Sequence, residues 1–195
     1  MKPYDVIAIG ELNVDLLLNR IEGFPEIGKE KIAGDMLLTL GSSTAIFAAN
    51  SAALGVRTGF AGMIGRDMFG ELVKRSLREK GVDTRFVIES DACATGATIV
   101  MNYGEDRANL TYQGAMDRMR FADIDKDLFT LTRHIHLSSI FMQSGLMQDL
   151  GELLRHARSQ GVTVSLDTQW DPAETWNFDY RTLLPLVDVF LPNEK

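Results

Sequence analysis

The run Val6-Ile7-Ala8-Ile9, closed by Gly10, constrains the fold of this chain more than any other stretch. A short apolar, β-rich run ended by glycine reads as a buried strand reaching the edge of its sheet. Further on, strand-like and helix-like segments alternate. Arg57 to Ile64 reads as a strand and Met68 to Lys80 as a helix, with Phe69, Leu72, Val73 and Leu77 on one face and Asp67 as its cap. Ile135 to Leu137 reads as a strand, 146–159 as an amphipathic helix, and Val162 to Leu166 and Val187 to Leu191 as strands. Such alternation predicts an α/β fold with a parallel sheet flanked by helices. Gly41-Ser42-Ser43-Thr44 opens a further helix, Ala45 to Leu54, stopped by Gly55. Its small residues suit close packing on a sheet.

Two regions break the alternation. Ile32 to Leu40 reads as β structure, and residues 84–113 carry three β-rich runs around a polar turn at Gly104-Glu105-Asp106, hairpin-like and antiparallel in character. Segments at about 31–40 and 96–113 are expected to form a small appended sheet, a lid, within one domain spanning 1–195.

Immediately after Gly10 comes Glu11-Leu12-Asn13-Val14-Asp15. If the chain stays extended, Glu11, Asn13 and Asp15 share one face and Leu12, Val14 and Leu16 the other. Asn13 and Asp15 then stand side by side at a strand end, where open α/β sheets bind ligands. A carboxylate accepts hydroxyl hydrogens and an amide both donates and accepts, which suits a polyol. The same residues also serve a plain turn.

Twenty basic against 27 acidic residues give a net charge of −7, which disfavours nucleic acid or an anionic membrane surface as partner. Cys93 is the single cysteine, so an internal disulfide and a cysteine metal cluster are excluded. No signal peptide or spanning segment is read from the sequence, and a cytoplasmic location is expected. His134 and His136 share a face but lack carboxylate or thiol companions, and read as ordinary strand residues.

Four blocks, in this order and spacing, make the chain resemble the PfkB carbohydrate kinases, the ribokinase-like sugar and nucleoside kinases. They are Gly10 to Asp15; Gly41 to Gly55; Gly59 to Gly70 followed by Gly81-Val82-Asp83-Thr84; and Pro192-Asn193-Glu194 after Asp188. The resemblance runs through essentially the whole chain but stops partway through the family's length. It implies a ribokinase-like sheet with a β lid, the C-terminal half of the fold being absent from this chain, and it implies that Asn13 and Asp15 hold sugar hydroxyls.

The second block usually reads Gly-Gly-x-x-x-Asn. Here Gly41 is kept, Ser42 replaces the second glycine and Ile46 the substrate-binding Asn, so a contact known in ribose kinases is missing. Gly62, Gly65 and Gly70 read as backbone-fit residues. Lid residues Tyr103, Arg107, Asn109, Tyr112 and Gln113 are specificity candidates, and an Arg there suits an acidic or phosphorylated substrate. Ser138 stands where ribokinases place a Glu. Asp167 matches the first residue of the family's Asp-x-Asn-x-Arg, whose Asn and Arg are not matched. Trp170 reads equally as a core anchor and a sugar-stacking ring.

The resemblance implies ATP and Mg²⁺ as cofactors, with most of their site beyond residue 195. Asn193 matches the first position of the family's Asn-x-x-Glu, associated with the magnesium–phosphate network. The Gly-Ala-Gly-Asp turn that cradles the transferring phosphate and carries the base does not occur in the chain. The expectation is a sugar kinase whose sugar-binding half and lid this chain supplies, inactive alone and dimeric through the lid. Two alternatives stand beside it: a non-catalytic sugar-binding or dimerising module, and a nucleoside kinase of the same family.

Overall fold

Apolar runs and amphipathic segments place ten strands and five helices in the computed structural model, which describes residues 2–192. In chain order they are β1 (Tyr4–Ile9), β2 (Asn13–Ile21), β3 (Ala33–Leu40), α1 (Ser43–Ala53), β4 (Thr58–Gly65), α2 (Met68–Glu79), β5 (Asp83–Ser90) and β6 (Gly96–Tyr103). There follow β7 (Asp106–Tyr112), α3 (Leu128–Leu131), β8 (Thr132–Ser138), α4 (Ser144–Ser159), β9 (Thr163–Asp167), α5 (Tyr180–Leu183) and β10 (Val189–Phe190).

The main sheet has six strands in the order β10-β9-β8-β1-β4-β5, every pairing parallel. Alternation along β1 divides its side chains between two cores. Ile7 and Ile9 join α4 residues Leu146, Leu150 and Leu153 on one face, while Ala8 meets Ala45 and Ala48 of α1 and Val73 and Leu77 of α2 on the other. Burying each of the larger aliphatic side chains contributes roughly 1.5–3 kcal/mol. Asp67 caps α2 by accepting from the Gly70 amide at 2.8 Å, and its other oxygen accepts from the Thr95 amide at 2.8 Å. A Cβ on Gly65 would lie 2.6 Å from the Cys93 carbonyl, so this position fits backbone rather than ligand.

The second sheet has four strands in the order β3-β2-β6-β7. Its composition corrects the sequence reading twice. Asn13 and Asp15 do not end β1; they begin β2, a strand the sequence reading did not identify, which pairs with β3 antiparallel and β6 parallel. Residues 83–90 are not part of an antiparallel hairpin either. They form β5, parallel to β4 at the main sheet's edge, and only β6 and β7 make the hairpin. Strand direction leaves no trace in a three-residue apolar run such as Phe86-Val87-Ile88, so the sequence alone does not distinguish a parallel edge strand from a hairpin arm.

From β1 the chain proceeds to β4 and β5 on one side and returns to β8, β9 and β10 on the other. The order therefore reverses between β1 and β8. Crevices at the carboxyl ends of strands flanking such a reversal are where open α/β sheets bind ligands.

Candidate functional site

A cavity of about 270 Å³ occupies that crevice. The main sheet supplies its floor through Glu11 after β1, Ser139 after β8 and Gln169 after β9, with Ser42 and Ser43 at the start of α1. The second sheet closes over it with Asn13, Asp15, Thr98, Arg107, Asn109 and Thr111. A larger hollow of about 760 Å³ lies beyond residues 111–114, beside Met63, Cys93 and Tyr112. The smaller one is the candidate site, because it gathers the strand ends, the buried polar side chains and the unusual backbone.

Three of its lining residues hold positive φ without being glycine: Ser42 at 71°, Ser139 at 51° and Gln169 at 55°. Such conformations persist only where surroundings impose them, and they concentrate at binding sites. At Ser42 the compensation is visible. Its hydroxyl donates to the Glu11 carbonyl at 2.6 Å and accepts the Ala45 amide at 2.9 Å, capping α1.

Asn13 Nδ2 donates to Asp15 Oδ1 at 2.9 Å and to Thr98 Oγ1 at 3.1 Å. Thr98 in turn shares a 3.0 Å hydrogen bond with Thr111. Asp15 Oδ2 has no hydrogen-bond partner among the described residues and remains an acceptor for hydroxyl groups. Burial pushes the Asp15 carboxyl up, opposed by the Asn13 hydrogen bond and the Arg107 charge. A side chain at Gly41 would strike Asp15 Oδ1 and stand 2.6 Å from Asn13 Nδ2, so glycine here lets the backbone back the pair directly.

Glu11 is the residue whose importance sequence reasoning missed. It is buried, and its Oε1 accepts the Thr44 amide at 3.2 Å and the Ser43 hydroxyl at 2.8 Å. Oε2 accepts the Thr44 hydroxyl and, at 3.3 Å, Gln143 Nε2. The carboxyl thus sits on the N-terminus of α1, where the helix dipole favours it. Burial nevertheless pushes it up, the Thr44 and Ser43 hydrogen bonds acting against that rise. Gln143 also donates to the Ser138 carbonyl at 2.8 Å, so Glu11 links β1, α1 and the turn after β8.

The other sequence candidates separate by strand parity. Arg107, Asn109 and Thr111 alternate onto the cavity face of β7. Tyr103, ending β6, and Tyr112, ending β7, fall on the opposite face of the sheet: Tyr103 packs against Phe24 at 4.6 Å, and Tyr112 borders the larger hollow. The two-residue period of the strands thus parts polar residues that lie close together in sequence. Ser138 is buried one layer back and reaches the site through a 2.7 Å hydrogen bond with Ser43, while its neighbour Ser139 lines the cavity. Asp167 accepts the Gln169 side chain at 2.5 Å and so holds a lining residue instead of lining itself. Ile46 lines the cavity wall. Gln113 donates to the Met142 carbonyl at 2.9 Å. Trp170 is 51% exposed and edge-on to Trp176 at 5.2 Å, neither a core anchor nor a cavity residue. Asn193 lies outside the described residues.

Among the described residues no group of three or more potential metal ligands occurs. The α1 N-terminus is filled by Glu11. With Glu11 there, α1 presents no open anion cradle to the ATP phosphates. No helix among the described residues is long and apolar enough to cross a membrane.

The model of the family described as "pfkB family carbohydrate kinase" matches residues 4–195. A 5-dehydro-2-deoxygluconokinase of Geobacillus kaustophilus is 28% identical over 190 residues, covering 94% of this chain and 54% of the relative. An ATP-dependent ribose-1-phosphate kinase of Halopiger xanaduensis is 30% identical over 192 residues, covering 97% and 62% respectively. Among solved structures, a fructokinase of Xylella fastidiosa with bound ATP superposes with a TM-score of 0.77 at 26% identity, covering 96% of this chain and 60% of that one. An Arabidopsis thaliana ribokinase superposes at 0.80 with 23% identity, a likeness of fold, covering 100% and 61%. The chain thus spans 54% and 62% of the two curated relatives.

Proposed function

We propose that this chain, which belongs to the pfkB family of carbohydrate kinases, binds a sugar in the 270 Å³ cavity and forms the sugar-binding half of an ATP-dependent sugar kinase. The observation that carries the reading is the Asn13–Asp15 pair, joined at 2.9 Å, with a free carboxylate oxygen at the switch point of the main sheet. In this reading Asp15 accepts hydroxyl hydrogens and Asn13 fixes its rotamer. Gly41 gives the pair its close backbone wall, Ser42 shapes the α1 entry, and Arg107 reaches the substrate from the second sheet. Ser138 and Asp167 act as positioning residues through Ser43 and Gln169. Tyr103 and Tyr112 have no place in the site.

ATP and magnesium belong, in this proposal, to the part of the family's fold that the chain does not span. The second sheet is the lid, and a second copy of the chain is its partner. Support for that pairing is the sheet's outer face, where Met36, Ile99 and Leu110 are exposed. A cytoplasmic setting accords with the lone, unpaired Cys93.

The test is a panel of sugars, sugar acids, sugar phosphates and nucleosides offered to the chain and to a version extended to the relatives' full length. Binding by the chain with phosphoryl transfer only in the longer form is expected. Turnover by the chain alone would overturn the division of labour, and binding without turnover in both would favour a non-catalytic sugar-binding module.

A further inference from the structure

We infer that Glu11 is a positioning residue of this site: acting through Ser43, it fixes the direction of the hydrogen bonds behind the cavity, so that Ser139 turns only acceptor lone pairs toward the sugar. The inference rests on the sugar-binding reading and adds the hydrogen-bonding character that one wall of the site demands of its ligand. Three serine hydroxyls meet at this wall. Ser43 Oγ lies 2.7 Å from Ser138 Oγ, 2.8 Å from Ser139 Oγ and 2.8 Å from Glu11 Oε1. A hydroxyl has one proton and two lone pairs, so Ser43 donates to one of these neighbours and accepts from the other two.

Glu11 decides which. Its Oε1 also accepts the Thr44 amide at 3.2 Å, a group that can only donate. Oε1 is thereby an acceptor in either charge state, because a proton taken up by the buried carboxyl goes to Oε2, where the paired Thr44 hydroxyl can turn a lone pair to it. Ser43 therefore donates to Glu11 and accepts from Ser138 and Ser139, which fills its capacity. Although Ser43 lines the cavity, its hydroxyl has nothing left for a ligand. Ser139, also a lining residue, commits its one proton to Ser43 and has no other side-chain partner among the described residues. Its lone pairs are what the cavity meets, so the ligand must bring a hydroxyl that donates. A chain running from ligand hydroxyl through Ser139 and Ser43 to a carboxyl oxygen has every bond pointing one way, and such bonds strengthen one another. Asp15 Oδ2 makes the same demand from the second sheet.

Deoxy and fluoro analogues read this direction, because carbon-bound fluorine accepts weakly and cannot donate. Calorimetry on the chain with D-fructose, D-ribose and D-gluconate identifies the tightest ligand, whose monodeoxy and monofluoro analogues are then compared. At one position, deoxygenation is expected to weaken binding about tenfold, fluorine to recover none of that loss, and Ser139→Ala to abolish the difference between parent and deoxy analogue. In Glu11→Ala the Ser43 proton turns to Ser139, whose own proton then faces the ligand. At that position the fluoro analogue should now bind about threefold more tightly than the deoxy analogue. Glu11→Gln keeps a carbonyl facing the Thr44 amide and should retain the wild-type ratio. A merely structural role for Glu11 would weaken all analogues alike and leave the ratio unmoved. Should Glu11→Ala not melt cooperatively, Ser43→Ala, which deprives Ser139 of its acceptor, reads the same ratio. Three outcomes overturn the inference while the sugar site stands: a fluoro analogue that outbinds the deoxy analogue in the wild type at the Ser139 position, no position sensitive to Ser139→Ala, or a ratio unmoved in Glu11→Ala and Ser43→Ala. Absence of binding by all three parent ligands, or affinities indifferent to Asp15→Ala, removes the sugar site itself and this inference with it.

Discussion

A single methyl group at position 41 would reach both side chains that define the site. Gly41→Ala drives a Cβ into Asp15 and against Asn13 Nδ2, and the pair must rotate out of its 2.9 Å hydrogen bond. Such overpacking costs on the order of 1–3 kcal/mol, and here it should appear chiefly as lost sugar affinity in a protein with an unchanged circular dichroism spectrum. Wild-type affinity in the variant would show that the pair is not the contact. Glu11 makes a different prediction. Burial raises its folded pKa above the ordinary 4.5, so the native state keeps a proton that the unfolded chain releases. The stability this contributes is complete below about that value and is lost as pH rises through the raised pKa. Wild-type stability relative to Glu11→Gln should therefore decline as pH rises from 4.5, and a pH-independent difference in urea titrations would refute the assignment. Glu11 was illegible in the sequence because its partners stand 33 and 132 residues away. Asn13 and Asp15 were legible because residues two apart on a strand share a face.

Among the elements, β8 carries the clearest pH signature. His136 is buried, stacked on Phe47 at 3.7 Å, and shares the Ser165 hydroxyl with His134 at 2.8 Å. Burial drives its pKa down from 6.5 to about 4, with the nearby Asp167 resisting and His134 assisting. Protonation is thus easier in the unfolded chain. The corresponding stability is whole above 6.5 and lost as pH falls toward 4, a change of roughly 3 kcal/mol. His136→Asn should flatten that acid limb in thermal melts, and an unaltered limb would assign the effect elsewhere. Helices with a visible cap and stripe, such as α2 with Asp67, Val73 and Leu77, could be read directly from the sequence. The strand β2 could not. Its Leu16-Leu17-Leu18 run breaks the alternation, because Leu17 sits on the same face as Asp15 and Asn19. The positive φ at Ser139 and Gln169 was equally hidden, since no glycine marks those turns, whereas at Ser42 the glycine usual in the family was the trace of it.

For the molecule as a whole, two sheets meeting over one crevice give a floor of strand ends and a cover that carries Asp15 and Arg107. The exposed outer face of that cover should associate with a second copy. Sedimentation is expected to show a dimer that Leu110→Lys converts to monomer, and a monomeric wild type at tens of micromolar, the range of weak interfaces, would remove the second copy from the account. The central claim is the polyol contact at Asp15, and calorimetry of Asp15→Ala against the sugar that the wild-type chain binds tests it most directly. The account predicts a loss of about 1.5–3 kcal/mol in binding, the worth of hydrogen bonds to a charged acceptor, in a variant whose melting is cooperative. Undiminished affinity in such a folded variant would contradict it.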